Sequence, residues 1–192
     1  VIGRRPITQE EQRLIADKLG IRERAVFLIG IKTGFRISEI LSLNVTDAID
    51  ECGQLKRFIT VKKDNMKGKK RSRSAPLHSV AYKALDEYLN TRIEKRLLAR
   101  LWSNEPLFKT IKGRLSRQHF HNELKLAAKA AGLSGVEKLA SHSMRKSFAQ
   151  EMLPKLDWNI FDLQHAMGHA NVATTTRYLA ENNPKIHDAI LR

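Results

Sequence analysis

Apolar positions recur along the chain at two different spacings, and the change from one to the other marks its organisation. Thr8-Gln9-Glu10-Glu11 has the spacing of a capping box, with Ile7 placed to staple the turn that follows. It predicts a helix to about Lys18, ended near Gly20. Ala25 to Thr33 is apolar on nearly all sides, which predicts a buried central helix stopped by Gly34. Ile37 to Leu43 predicts a third helix, with Ile37, Ile40, Leu41 and Leu43 inward. From Asn44 to Leu77 the spacing shortens to alternation, interrupted by a basic segment. Strands are expected near residues 45–50, 57–63 and 71–77, around a turn at Asp64–Lys70. Helical spacing returns from Val80 to Leu101, followed by a loop over Asn104–Arg114. A helix from Leu115-Ser116 runs to Gly132, a connector covers Ser134–Ala140, and a helix spans His142–Leu153 before Pro154. Asp157 is placed to cap Trp158–Met167, and Asn171 to cap a last short helix. Asn182-Asn183-Pro184 closes the pattern before a tail at residues 182–192. The class this predicts is mostly α with a small antiparallel β-sheet (α+β), as a single domain over residues 1–192.

Charge changes the picture more than size does. Lys and Arg number 35 against 20 Asp and Glu, a net +15, which predicts a polyanionic partner, with nucleic acid first. A solvated basic face is the bland alternative. Aromatic residues are only 6%, so stacking on bases is a poor candidate for the main contact, and duplex phosphates fit better. One cysteine, Cys52, excludes an internal disulfide and a cysteine-built zinc site, and fits a reducing compartment. No apolar run reaches the roughly 18–20 residues that a bilayer span needs, so no membrane association is expected.

Four places carry candidate chemistry. Arg36 lies at the join of two apolar helices with Glu39 one turn on, aimed at an anion or forming a structural pair. His142 and Arg145 share one face near a helix start, a spacing that also describes an ordinary surface pair. Met66-Lys67-Gly68-Lys69-Lys70-Arg71 places cations on a hairpin turn, where most such side chains are merely solvated. Gly168-His169 is followed nine residues later by Tyr178, a nucleophile or a half-buried phenol. His119 and His121 could suggest a metal pair but lack partner ligands in a metal pattern, so no metal is expected, and His165 is expected to pack.

Their joint order is specific. Thr-Gly-Phe-Arg36-Ile-Ser-Glu39-Ile-Leu with Asp47 after it, His142-Ser-Met-Arg145, and Leu163 to Tyr178 through Gly168-His169 resemble the boxes of the tyrosine recombinases, the phage integrase family. The resemblance spans roughly Pro6 to Tyr178, with Met167 in place of the usual Leu and Lys146 where many members have His. It implies the catalytic-domain fold of that family and a site-specific DNA recombinase working through a 3′-phosphotyrosyl intermediate. Tyr178 would be the nucleophile, Arg36 and Arg145 would hold the non-bridging oxygens, and His169 would donate to the phosphate. His142 would handle the tyrosine proton, and Glu39 would support Arg36. Lys67, with Lys69 as rival, would protonate the leaving 5′-oxygen. Lys67, Lys69, Lys70, Arg71 and Arg73 would contact DNA. No cofactor, metal or ATP is implied. The partners implied are double-stranded DNA and further copies of the chain, as a tetramer on paired sites, with the tail packing on a neighbour. An N-terminal DNA-clamping domain, usual in the family, is not visible in the sequence, and a cytoplasmic, nucleoid-associated location is expected. A type IB topoisomerase usually has a lysine where His142 stands. A non-catalytic DNA-binding regulator has no need of Tyr178.

Overall fold

A computed structural model describes residues 4–66, 71–92 and 105–179, with only the backbone for residues 177–179. Nine helices and two small hairpins are present among these residues. They are α1 (Gln9–Lys18), α2 (Ile21–Thr33), α3 (Ile37–Leu41), α4 (Val45–Ala48), β1 (Phe58–Val61), β2 (Arg73–Pro76) and α5 (Ser79–Asn90), then β3 (Lys109–Thr110), β4 (Gly113–Arg114), α6 (Arg117–Ala130), α7 (Ser141–Lys155), α8 (Ile160–Met167) and α9 (Val172–Leu179).

α2 is the axis of the main core. Ala25, Val26, Phe27, Ile29 and Ile31 are fully enclosed, because α5 packs on one side of the helix and α7 on another. Its apolar sequence on all faces is the consequence of having neighbours on all faces. α1 packs against α6, and its capping box is formed: Thr8 Oγ1 accepts from the Glu11 N–H while Glu11 Oε2 accepts from the Thr8 N–H. A second cluster of Phe148, Ala149, Leu153, Leu163 and Met167 joins α7 to α8. Ser147 of α7 holds the entering chain by both backbone groups of Ile7: its Oγ accepts from the Ile7 N–H (2.7 Å) and donates to the Ile7 carbonyl (3.0 Å).

The sheet is smaller than the alternation predicts. β1 and β2 pair antiparallel, with Val61 opposite Arg73 and Ile59 opposite Ala75, and β3 and β4 form a separate hairpin inside the expected 104–114 loop. The strand expected near 45–50 is instead α4. Asp47 Oδ2 accepts from the Asn44 N–H (2.8 Å), which caps a helical turn, and only isolated bridges at Asn44–Pro106 and Ile49–Leu55 remain of sheet character. α7 continues past Pro154 to Lys155, since a proline in the last turn forfeits a single backbone bond. The cap of α8 is Asn159, not Asp157: Asn159 Oδ1 accepts from the Phe161 and Asp162 N–H groups, while Asp157 and Trp158 adopt positive φ (49° and 62°) in the preceding turn. α5 ends at Asn90, and residues 93–101 of the expected longer helix lie outside the described residues, as do Lys67, Lys69, Lys70 and the 182–192 tail. No helix among the described residues is long and apolar enough to cross a membrane.

Candidate active site

The site is built where the C-termini of α2 and α8 approach the start of α7. α2 ends at Gly34, which takes the left-handed conformation (φ 63°); a Cβ there would lie 2.4 Å from the Phe148 ring, so both backbone and space require glycine. The chain then turns through buried Phe35 into Arg36. The Arg36 N–H donates to Glu39 Oε2 and its Nη1 donates to Glu39 Oε1, both at 2.7 Å. Glu39 is 0% exposed, so this double contact fixes the root of Arg36 while the guanidinium stays partly open to solvent.

Arg145 arrives from the first turns of α7, after the Ala140 N–H has been taken by Ser143 Oγ (3.1 Å). It is 1% exposed, a burial that a guanidinium tolerates only with good acceptors. Nη1 donates to the Gly34 carbonyl and Nη2 to the Met167 carbonyl (2.6 Å); these are terminal carbonyls of α2 and α8, where the helix leaves acceptors unused. Nη2 also lies 2.8 Å from His169 Nε2.

His169 follows Gly168, which caps α8 in the left-handed conformation (φ 65°). The ring is 3% exposed, and its Nδ1 lies 2.9 Å from Thr175 Oγ1, itself buried on α9. Burial first, then the charges of Arg145, Arg36 and Arg73, push the His169 pKa down to about 3, so the ring is neutral at pH 7. A guanidinium only donates, so Nε2 is the acceptor and Nδ1 carries the proton toward Thr175. The result is one chain of contacts from Arg145 through His169 to the helix that bears Tyr178, which follows Thr175 by one turn. His142, on the opening turn of α7, remains open to solvent, yet the protein around it and the nearby Arg145 and Arg36 charges lower its pKa.

Two placements differ from the sequence reading. Arg71 is exposed, as a groove-facing cation should be, but Arg73 is turned inward and is 9% exposed. Its Nη2 donates to the Thr33 carbonyl (2.5 Å) and to the Ala166 carbonyl, and its guanidinium lies 4.4 Å over the Phe35 ring. The register explains this: Arg73 opposes Val61 on the buried face, with Ser74 and Pro76 outward. His165, expected to pack, is exposed. It lines a cleft of about 620 Å³ together with Met66, Arg71, Arg73, Gln164 and His169. Met66 and Arg71, which stand on either side of Lys67–Lys70 in the sequence, both line it. Asp47 serves α4 as its cap and lies 3.6 Å from Lys62 Nζ. Thr175 escaped notice in the sequence; its only signal was a place three residues before Tyr178 in a threonine run.

The site thus joins the ends of α2 and α8 through Arg145, and joins Arg145 to α9 through His169 and Thr175. The phage integrase family pattern matches residues 7–184, and the chain belongs to that family. Among its relatives is the tyrosine recombinase XerC of Herpetosiphon aurantiacus, 32% identical over 167 residues, covering 86% of this chain and 50% of that protein. XerD of Oceanobacillus iheyensis is 31% identical over 175 residues, covering 89% and 54%. The chain thus spans about half the length of these relatives. Two solved structures share the fold. The XerA recombinase superposes with a TM-score of 0.74 (24% identity, 96% of this chain, 62% of that one). The XerH site-specific recombinase in its post-cleavage complex with a palindromic difH substrate superposes with a TM-score of 0.73 (26% identity, 96% and 51%).

Proposed function

We propose that this chain is the strand-transferring domain of a site-specific DNA recombinase acting on double-stranded DNA. The observation that carries the reading is the charge arrangement: Arg36, Arg73 and Arg145 lie within Coulomb reach of one another and of His169. Among the described residues Glu39 is the carboxylate that offsets them. Such a cluster is costly alone and is relieved by an anion with several oxygens.

In the reaction, Tyr178 Oη attacks phosphorus, its proton passing toward His142, whose lowered pKa leaves it neutral and able to accept. The bond from phosphorus to the 5′-oxygen breaks, and Lys67 or Lys69 protonates the departing oxygen. The product is a 3′-phosphotyrosyl link and a free 5′-hydroxyl. Attack by another 5′-hydroxyl reverses the step, so the bond energy is conserved and no ATP is consumed. Arg36 and Arg145 stabilise the two non-bridging oxygens as charge gathers on them. This supplies by guanidinium what a metal supplies elsewhere. Arg145 and His169 bond each other. A phosphate entering between them competes for that contact, and its negative charge raises the His169 pKa, converting Nε2 from acceptor to donor. Assembly as a tetramer on paired sites, with the 182–192 tail contributing between copies, belongs to the same reading.

The test is covalent capture. The chain is incubated with a pool of nicked duplexes, without metal or ATP, and resolved under denaturing conditions. A shifted protein–DNA band is expected for wild type and none for Tyr178→Phe. Binding with no covalent band from any duplex would sink the catalytic reading in favour of a DNA-binding regulator.

A further inference from the structure

We propose that Arg73 is a positioning residue of the strand-transfer site, a proposal that rests on the catalytic reading above. Arg145 bridges the carbonyls of Gly34 and Met167. Arg73 bridges those of Thr33 and Ala166, the preceding residue on each side. The two arginines are therefore consecutive rungs between the same two helix ends, one entering from α7 and the other from β2. Removing the outer rung leaves the spacing of the two ends to Arg145 alone, whose Nη2 also meets His169.

Arg73 also touches two of the segments that present a functional group, and its own strand leads to a third. Its guanidinium covers Phe35, the residue before Arg36. Its Cδ packs so closely on Gly168, the residue before His169, that a Cβ there would sit 2.9 Å from it. In the sequence Arg73 stands two residues after Arg71, which adjoins the lysine-bearing segment. The side chain is held at a cost, because its Nη1 is buried without an acceptor among the described residues. A methionine or leucine would fill the same space without that cost, so the planar, two-carbonyl reach of a guanidinium is what the position uses. Burial, and then the Arg145 charge, lower its pKa to about 9, which leaves it charged at pH 7.

The experiment compares wild type, Arg73→Lys and Arg73→Met on the nicked duplex recovered by covalent capture on wild type. Three quantities are read: the single-turnover rate of adduct formation per folded molecule, the duplex affinity, and the His169 titration by NMR. Arg73→Met is expected to slow adduct formation on the order of 100-fold, the scale of an ångström-sized misplacement, with affinity within about threefold. Its His169 pKa rises, because one of the charges depressing it is gone. Arg73→Lys restores the charge and the low His169 pKa but not the two-carbonyl span, so its rate stays at least about tenfold low. Wild-type rates in both variants, with thermal stability alone reduced, would make Arg73 scaffold and overturn the proposal. So would a fall in affinity that matches the fall in rate, which would make it a DNA contact. If Arg73→Met does not fold, Arg73→Lys gives the same decision. Absence of an adduct in wild type overturns the catalytic reading and this proposal with it; a wild-type adduct with fast variants overturns this proposal alone.

Discussion

Mild acid will destabilise this domain through His169, and the amount follows from its surroundings. The ring is neutral in the folded protein down to a pKa of about 3, whereas an unfolded chain offers it the ordinary value near 6.5. Between those two values the unfolded state binds a proton that the folded state refuses. The stability that the neutral ring contributes is therefore complete above about pH 6.5 and is lost as pH falls toward 3. At about 1.36 kcal/mol per pH unit, going from pH 7 to pH 5 removes about 2 kcal/mol. His142 and His121, whose pKa values are also lowered, add losses of the same sign. The His169 share is isolated by the variant His169→Gln, which keeps a polar group beside Arg145 and Thr175 but cannot titrate. Urea unfolding of both proteins at pH 7 and pH 5, at one ionic strength, should show wild type losing about 2 kcal/mol more than the variant. Equal losses, or an NMR titration of His169 near its ordinary value, would refute the assignment of a buried neutral acceptor held among three guanidiniums.

Two further outcomes follow from the same geometry. Thr175→Val removes the oxygen beside His169 Nδ1, and with it one buried hydrogen bond, without changing shape; chemical denaturation should show a loss of about 1 kcal/mol. Gly34→Ala forces a methyl into the Phe148 ring at positive φ, and should cost about 3 kcal/mol or more in a thermal unfolding comparison.

The helices with strong periodicity were legible because local preference and tertiary packing agree in them. Thr8 caps α1 as its spacing predicts, and α2 is apolar all round because it is enclosed all round. The misreadings sit where a single side chain outvotes the pattern. Asn44 and Asp47 turn a strand-like run into a helix, and Asn159 takes the cap that Asp157 was expected to provide. In the site, the order Arg36, His142, Arg145, His169, Tyr178 was readable as a motif. That Arg145 and His169 would be bonded to each other, with α2 and α8 ending on Arg145, was not, since those partners are brought together only by the fold. Arg73 was grouped with the groove-facing cations because charge gave no reason to separate it from Arg71; the β1–β2 register does.

The grip of Ser147 on Ile7 has a mechanical meaning. Ser147 stands two residues beyond Arg145 on the same helix, and it holds the incoming strand by donor and acceptor at once. Arg4 and Arg5 add lashings to the Glu137 and Ser134 carbonyls, just ahead of that helix. A pull along residues 4–7 is thus delivered not to the periphery of the domain but to the rod that carries Arg145, within a single turn of its guanidinium. The entering chain is a tether with its anchor bolt set in the helix that carries Arg145.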